Sequence, residues 1–252
     1  MNMLQNVSGI VLSVMPVGDY DRRVTILTKE KGKIAAFARG AWRPGNNLIA
    51  VTQPCIFGEF SLFSGRDSFT ISEVKVQEYF SEIREDLDSV YYAMYFCEVA
   101  DFYTKEGNDE REMMKLLYTA LKALVRGQMS RRLVRSVFEM RTCVISGEGP
   151  MLNECVVCHE KIPEDSRGFS VLNGGAVCEK CREKLPVKDV MVLNPSSRYA
   201  LWFICSTPAA KLFSFTVSPE VEDELAALSA EYLFARVKHT FKGEKLLELI
   251  SD

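Results

Sequence analysis

Over the first 80 residues, apolar side chains fall in short, largely alternating runs at about 8–16, 23–29, 32–39, 54–63 and 68–79. Runs of this length, rich in Val, Ile, Phe and Thr and bounded by turn residues, predict five β-strands. The turns are expected at Gly18-Asp19, Lys31-Gly32 and Ser64-Gly65-Arg66-Asp67, and Gly40 to Gln53, with Pro44-Gly45-Asn46-Asn47 inside it, is expected to be an open loop. In the last run Phe69 and Ile71 share one phase while Val74 and Val76 take the other, which predicts a bulge. Five short strands in one unit suit a small five-stranded barrel of the OB type.

Beyond residue 80 the period lengthens. Met113, Leu116, Leu117, Ala120, Leu121 and Leu124 recur at steps of three and four, the stripe of an amphipathic helix. Helices are also expected near 84–104, 130–145, 195–205 and 219–241, the last opened by Ser218-Pro219-Glu220 as cap and first turn. The expected fold is therefore α+β and multi-domain. An N-terminal OB-type barrel (1–80) precedes a helical domain in two parts (81–150 and 189–252), with a four-cysteine module inserted at 151–188.

Composition narrows the class. The chain has 252 residues, 47% hydrophobic and 26% charged, enough to bury a substantial core. No stretch approaches the ~20 apolar residues of a membrane span, and the first residues carry no basic segment or cleavage site of a signal peptide. A reducing cytoplasmic setting is expected, where eight cysteines point to metal ligands and buried thiols rather than disulfides. Cys55, Cys97, Cys143 and Cys205 stand singly among apolar residues and are read as core.

The remaining cysteines form Cys155-x2-Cys158-x19-Cys178-x2-Cys181, a zinc-site spacing. Each pair supplies two thiolates from one tight turn, and Phe169–Val177 reads as a hairpin that folds the second pair onto the first. Four thiolates leave no open position, so one structural Zn2+ is expected rather than a catalytic one. Cys155-Val-Val-Cys158-His159 also matches a covalent haem motif, but the second pair would then be idle. A thioredoxin-like centre needs one pair opening a helix in a βαβ setting, and a zinc deaminase needs His-x-Glu, whereas His159 and Glu160 are adjacent. His159 is read as a surface residue beside the cysteines, with ligation the alternative. No P-loop, dinucleotide fingerprint or Gly-x-Ser-x-Gly elbow is found, so a non-enzymatic protein is expected.

The net charge of −3 conceals a segregation. Residues 20–45 carry a net +5, residues 46–110 a net −9 and residues 111–142 a net +6. A polyanion responds to the local field, so the basic blocks are either nucleic-acid tracks or solvated faces. On a strand over 33–39, Lys33, Ala35, Phe37 and Arg39 share one face, and Ile34, Ala36 and Ala38 line the other. Cations beside an aromatic ring are what single-strand binding uses, and Trp42 and Arg43 extend the set into the loop. Arg131, Arg132 and Arg135 form a second candidate, for DNA or for an acidic tail, unless they pair with the acidic 82–110 segment.

These residues also resemble the bacterial DNA repair protein RecO family. The resemblance runs through Gly32-Lys33-Ile34, Ala38-Arg39-Gly40-Ala41, Gln53-Pro54, Phe138-Glu139-x-Arg141 and Gly147-x-x-Pro150-x-Leu152, then the first cysteine pair, Phe169-Ser170, Gly174-Gly175, Cys178 and Cys181. It implies an OB barrel, a helical body and a zinc module. It further implies a cytoplasmic, nucleoid-associated recombination mediator with no membrane association, which binds single- and double-stranded DNA and anneals complementary strands. The partner RecR, single-strand binding protein (SSB, with its acidic tail) and, indirectly, the RecA recombinase are implied too. Carried onto this chain, Lys31, Lys33, Arg39 and Arg43 correspond to DNA contacts and the four cysteines to zinc ligands. The loop departs from the family, which usually offers several cations and a Lys-Ser where this chain has Trp42-Arg43-Pro44-Gly45-Asn46-Asn47. Trp42 is expected to compensate by stacking. The alternatives are a zinc-containing RNA- or tRNA-modifying enzyme with an OB module, and a pure protein-interaction adaptor.

Overall fold

The computed structural model describes residues 4–65, 68–163 and 166–249. The chain divides into two compact units, residues 1–125 with 241–252, and residues 126–240. The first opens with β1 (Leu4–Val17), β2 (Asp21–Thr28), β3 (Gly32–Ala38), a one-turn helix α1 (Leu48–Val51), β4 (Phe57–Ser64) and β5 (Phe69–Glu78). The five strands close into a barrel in the order β1-β2-β3-β5-β4. All neighbours are antiparallel except β3 and β5, which meet in parallel over Ala36–Phe37 and Phe69–Thr70. Val24, Ile26, Ile34, Ala36, Phe60 and Leu62 belong to its buried interior.

The phase change expected in β5 is a bulge. Ser61 pairs with Glu73 and Leu62 with Ile71, so Ser72 is skipped. Ile71 before the bulge and Val74 and Val76 after it therefore all reach the core. The turn expected at Ser64–Asp67 includes Arg66 and Asp67, which lie outside the described residues.

The segment Gly40–Gln53 corrects the expectation of an open loop. The Asn46 amide donates to the Gly40 carbonyl (2.8 Å), the Asn46 side-chain oxygen accepts from the Leu48 N–H (2.9 Å), and α1 occupies the second half. One asparagine satisfies backbone groups that Pro44-Gly45 leaves without a ladder, so the loop folds on itself.

Two helices follow, α2 (Leu87–Tyr103) and α3 (Arg111–Arg126). The Asp86 carboxylate caps α2 by accepting from the Ser89 N–H at 3.0 Å. All six stripe residues of α3 are buried. Gly32 ties the barrel to the α2–α3 connection: at φ +67°, its missing Cβ would fall 2.3 Å from the Lys105 carbonyl oxygen.

The second unit contains α4 (Arg131–Ile145), β6 (Gly168–Ser170), β7 (Gly175–Val177), the short α5 (Glu179–Arg182), β8 (Met191–Val192), α6 (Pro195–Ser206) and α7 (Pro219–Val237). Helices α4, α6 and α7 pack together, and β7-β6-β8 form a small sheet. The helix expected over 219–241 stops at Val237, because Lys238 takes the left-handed conformation (φ +49°) and its N–H returns to the Phe234 carbonyl. His239, expected on this helix, lies in the connection. Ser218 sits at the cap position, but its side chain makes no capping bond to the backbone. The final helix, α8 (Lys242–Leu249), belongs to the first unit. There it packs on α2, with Phe241 edge-on to Tyr95 at 5.9 Å, and the Glu98 carboxylate accepts the N–H groups of Lys242 and Gly243. Among the described residues no helix is long and apolar enough to cross a membrane.

Candidate nucleic-acid interface and metal centre

Strand β3 alternates as its sequence demands. Gly32, Ile34, Ala36 and Ala38 are buried, while Lys33, Ala35 and Phe37 are half-buried on the outer phase and Arg39 just beyond is exposed. The Arg39 guanidinium lies 6.0 Å from the Phe37 ring centroid. Lys31, in the β2–β3 turn, places its ammonium 5.8 Å from the Phe69 ring. Lys33 leans elsewhere: its Nζ lies 2.9 Å from the Asp101 carboxylate near the end of α2.

The loop after β3 is drawn against the β1–β2 turn. The Trp42 N–H donates to the Tyr20 carbonyl (3.0 Å), and the Gly40 N–H to the Asp21 carboxylate (2.7 Å). The Arg43 guanidinium lies 5.4 Å from the Tyr20 ring, and that of Arg22 lies 4.3 Å from the Trp42 ring. Tyr20 and Trp42 keep half their surface in solvent, at 50% and 49%, whereas Arg22 keeps 7%. Burial lowers the Arg22 guanidinium below its ordinary pKa.

Lys31, Phe37, Arg39, Trp42 and Arg43 are thus each in a cation–ring contact, and Lys33 in an ion pair. Sequence reasoning missed Tyr20, Arg22 and Phe69 as partners. It also missed exposed Arg23, which pairs across the β2–β3 ladder with Phe37. Arg23 was legible, since an exposed cation opposite an aromatic residue follows from hairpin register. Arg22 was not, because it shares the inward phase of Val24 and Ile26.

The second basic set is structural in its contacts. Arg132 forms an ion pair with Asp223 of α7, and Arg135 lies 2.6 Å from Glu139 one turn further along α4. Glu139 is fully buried and also accepts a 2.6 Å hydrogen bond from Ser229. The partners Asp223 and Glu139 both belong to the second unit. Arg131 is exposed at the first turn of α4.

The cysteine module closes as its spacing predicts. Strands β6 and β7 form the expected hairpin, turning through Val171–Gly174. Gly175 admits no side chain, since a Cβ would stand 2.2 Å from the Met151 carbonyl oxygen. His159 takes φ +60°, and its N–H donates to the Cys155 carbonyl (2.8 Å), which completes the first cysteine turn. The sulfurs of Cys155, Cys158, Cys178 and Cys181 lie within 4.8 Å of one another, and His159 stands outside the cluster, exposed. A tetrahedral site with thiolate arms of ~2.3 Å has sulfur–sulfur edges of about 3.8 Å, and Cys158 and Cys178 are 3.8 Å apart. Burial pushes the Cys155 thiol up, but backbone N–H groups of Cys178, Cys158 and Val157 outweigh it and bring it to about 6. Burial and the neighbouring thiols raise Cys181 to about 12. The donor set fits one thiophilic ion with a filled shell.

Cys55, Cys97 and Cys143 are buried as expected of core residues, whereas Cys205 is only half-buried.

Residues 1–80 match the family model described as Recombination protein O N terminal, and residues 84–245 match Recombination protein O C terminal. The chain is 34% identical over 241 residues to the DNA repair protein RecO of Acetivibrio thermocellus, covering 96% of this chain and 94% of that one. It is 30% identical to the DNA repair protein RecO of Symbiobacterium thermophilum over 98% of each chain, and 27% identical to that of Clostridium perfringens over 97% of each. The chain belongs to the RecO family of DNA repair proteins.

Proposed function

We propose that this RecO-family chain is a non-enzymatic, cytoplasmic recombination mediator that works at the nucleoid. It binds single- and double-stranded DNA, anneals complementary strands and, with RecR, assists RecA loading onto DNA coated by single-strand binding protein. The observation that carries the reading is the set of cations held against aromatic rings on a closed OB-type barrel. Lys31, Arg39 and Arg43 would contact phosphates, with Lys33 adding a share moderated by Asp101, and Phe37 and Trp42 would meet bases. Cations resting on rings keep their charge, so phosphates remain attracted to them.

Arg131, Arg132 and Arg135 would play the lesser part. A strand or an acidic tail reaching them competes with Asp223 and Glu139. The ion held by the four cysteines is zinc, and its role is to fold the module at 151–188 rather than to react, since four thiolates leave no position for substrate.

Annealing of complementary labelled oligonucleotides tests the reading. Added protein should accelerate pairing, and Arg39→Glu with Arg43→Glu should remove most of the acceleration. A wild-type protein that binds DNA in no gel shift and leaves annealing unchanged would overturn it.

A further inference from the structure

Arg22 is out of place by its phase. It shares the inward face of β2 with Val24 and Ile26, where the barrel interior calls for apolar residues, and it is 7% exposed. A cation there loses hydration, and something must compensate it. Two groups do so: the carbonyl of Ile49 in α1, which accepts from the guanidinium at 3.3 Å, and the face of Trp42 at 4.3 Å. The contact is reciprocal. Trp42 sits on an exposed loop, yet one face of its ring is held from beneath by a buried, planar cation, while 49% of the residue stays in solvent. The hydrogen bond from the Trp42 N–H to the Tyr20 carbonyl carries the arrangement to a second half-exposed ring, itself backed by Arg43. Trp42 is thus held on a desolvated arginine while half of its surface stays open to a ligand.

We infer that Tyr20 and Trp42 form a base-stacking platform at the end of the barrel, with Arg22 as its positioning residue, and that this platform makes the protein prefer unpaired bases over duplex. The inference rests on the proposed DNA-binding reading and goes beyond it by adding Tyr20 to the base contacts, giving Arg22 a positioning role and tying strand preference to the bases. Duplex bases are stacked on each other and offer no free face, whereas every unpaired base does. In a chain whose loop is poor in cations, stacking on Tyr20 and Trp42 supplies affinity that salt does not screen.

The test compares an oligo-dT strand, a strand of the same length built of abasic deoxyribose phosphates, and a duplex. Wild-type protein should bind oligo-dT about tenfold or more tighter than the abasic strand, as one to two stacks at ~1–3 kcal/mol imply. In Tyr20→Ala with Trp42→Ala the preference for oligo-dT should shrink to the share that Phe37 supplies, through loss of oligo-dT affinity rather than of abasic affinity. Arg22→Lys keeps the charge but removes the plane. It should weaken oligo-dT about threefold or more, leave the abasic strand unaffected, and make Trp42 more accessible to acrylamide in a Trp202→Phe background. Equal wild-type affinity for oligo-dT and abasic strands would overturn the platform while leaving DNA binding intact. Failure to bind any of the three would instead overturn the DNA-binding reading. Loss of oligo-dT and abasic affinity in parallel in Arg22→Lys would make Arg22 a phosphate contact and remove its positioning role.

Discussion

Two basic blocks of nearly equal net charge, +5 over residues 20–45 and +6 over 111–142, are treated in opposite ways. On the barrel, Lys31, Arg39 and Arg43 lie over aromatic rings, which attract a cation without cancelling its charge. On α4, Arg132 faces Asp223 and Arg135 faces a buried carboxylate, Glu139. Charge along the chain is therefore a poor guide to where a polyanion binds. What matters is whether the fold has given the cation an anion or a ring. Arg132 and Arg135 of the second unit are paired with carboxylates, whereas Lys31, Arg39 and Arg43 of the barrel rest on rings, which in the proposed reading leaves them available to a ligand.

The largest expected effect comes from the most structural polar group in the second unit, the four cysteines. Chelation, or Cys178→Ser, should abolish the folding transition of that unit, since a structural zinc site contributes on the order of 10 kcal/mol. Single-strand affinity of whatever stays soluble should hold to within about threefold if phosphate contacts on the barrel dominate. A fully stable Cys178→Ser protein without DNA affinity would reverse the roles of the two regions. Next is Glu139→Ala, which removes the buried carboxylate that holds Arg135 and the Ser229 hydroxyl and should cost about 3 kcal/mol in denaturant unfolding. A change within the error of that measurement would show that the buried pair is not structural.

A smaller and subtler effect is the salt response. Four phosphate contacts at Lys31, Lys33, Arg39 and Arg43 give a log–log slope of roughly −3 on single strands. Lys33→Gln should leave the slope nearer to the wild-type value than Arg39→Gln does, because Lys33 already has Asp101 at 2.9 Å. The smallest effect is expected from Arg132→Glu, whose exposed ion pair with Asp223 contributes at most about 1 kcal/mol. A tenfold loss of DNA affinity there, of the size that losing base or phosphate contacts gives, would erase the contrast between the blocks.

Much of this was legible from periodicity and spacing. Short β-rich runs between turn residues located the five strands, the phase change at Ile71–Val74 located the bulge at Ser72, and the cysteine spacing located the four-thiol cluster. These features are local, or repeat with a fixed period. What escaped depends on residues far apart in sequence or on a broken rule. Lys33 finds Asp101 sixty-eight residues away, and no local pattern announces that. Arg22 escaped because phase predicts an apolar residue at its position. The end of α7 escaped because Lys238 adopts a conformation usually left to glycine. The Arg135–Glu139 pair is visible at its i,i+4 spacing, but its burial depends on α7 and only the fold reveals it.

The contrast between the two basic blocks meets its most direct test in fluorescence anisotropy with labelled oligo-dT, comparing Arg39→Glu with Arg43→Glu against Arg131→Glu with Arg132→Glu at one salt concentration. The barrel pair should weaken binding about tenfold or more, as the loss of two phosphate contacts implies, while the α4 pair stays close to wild type. Wild-type affinity in the barrel variant together with lost affinity in the α4 variant would contradict the assignment of DNA to the barrel.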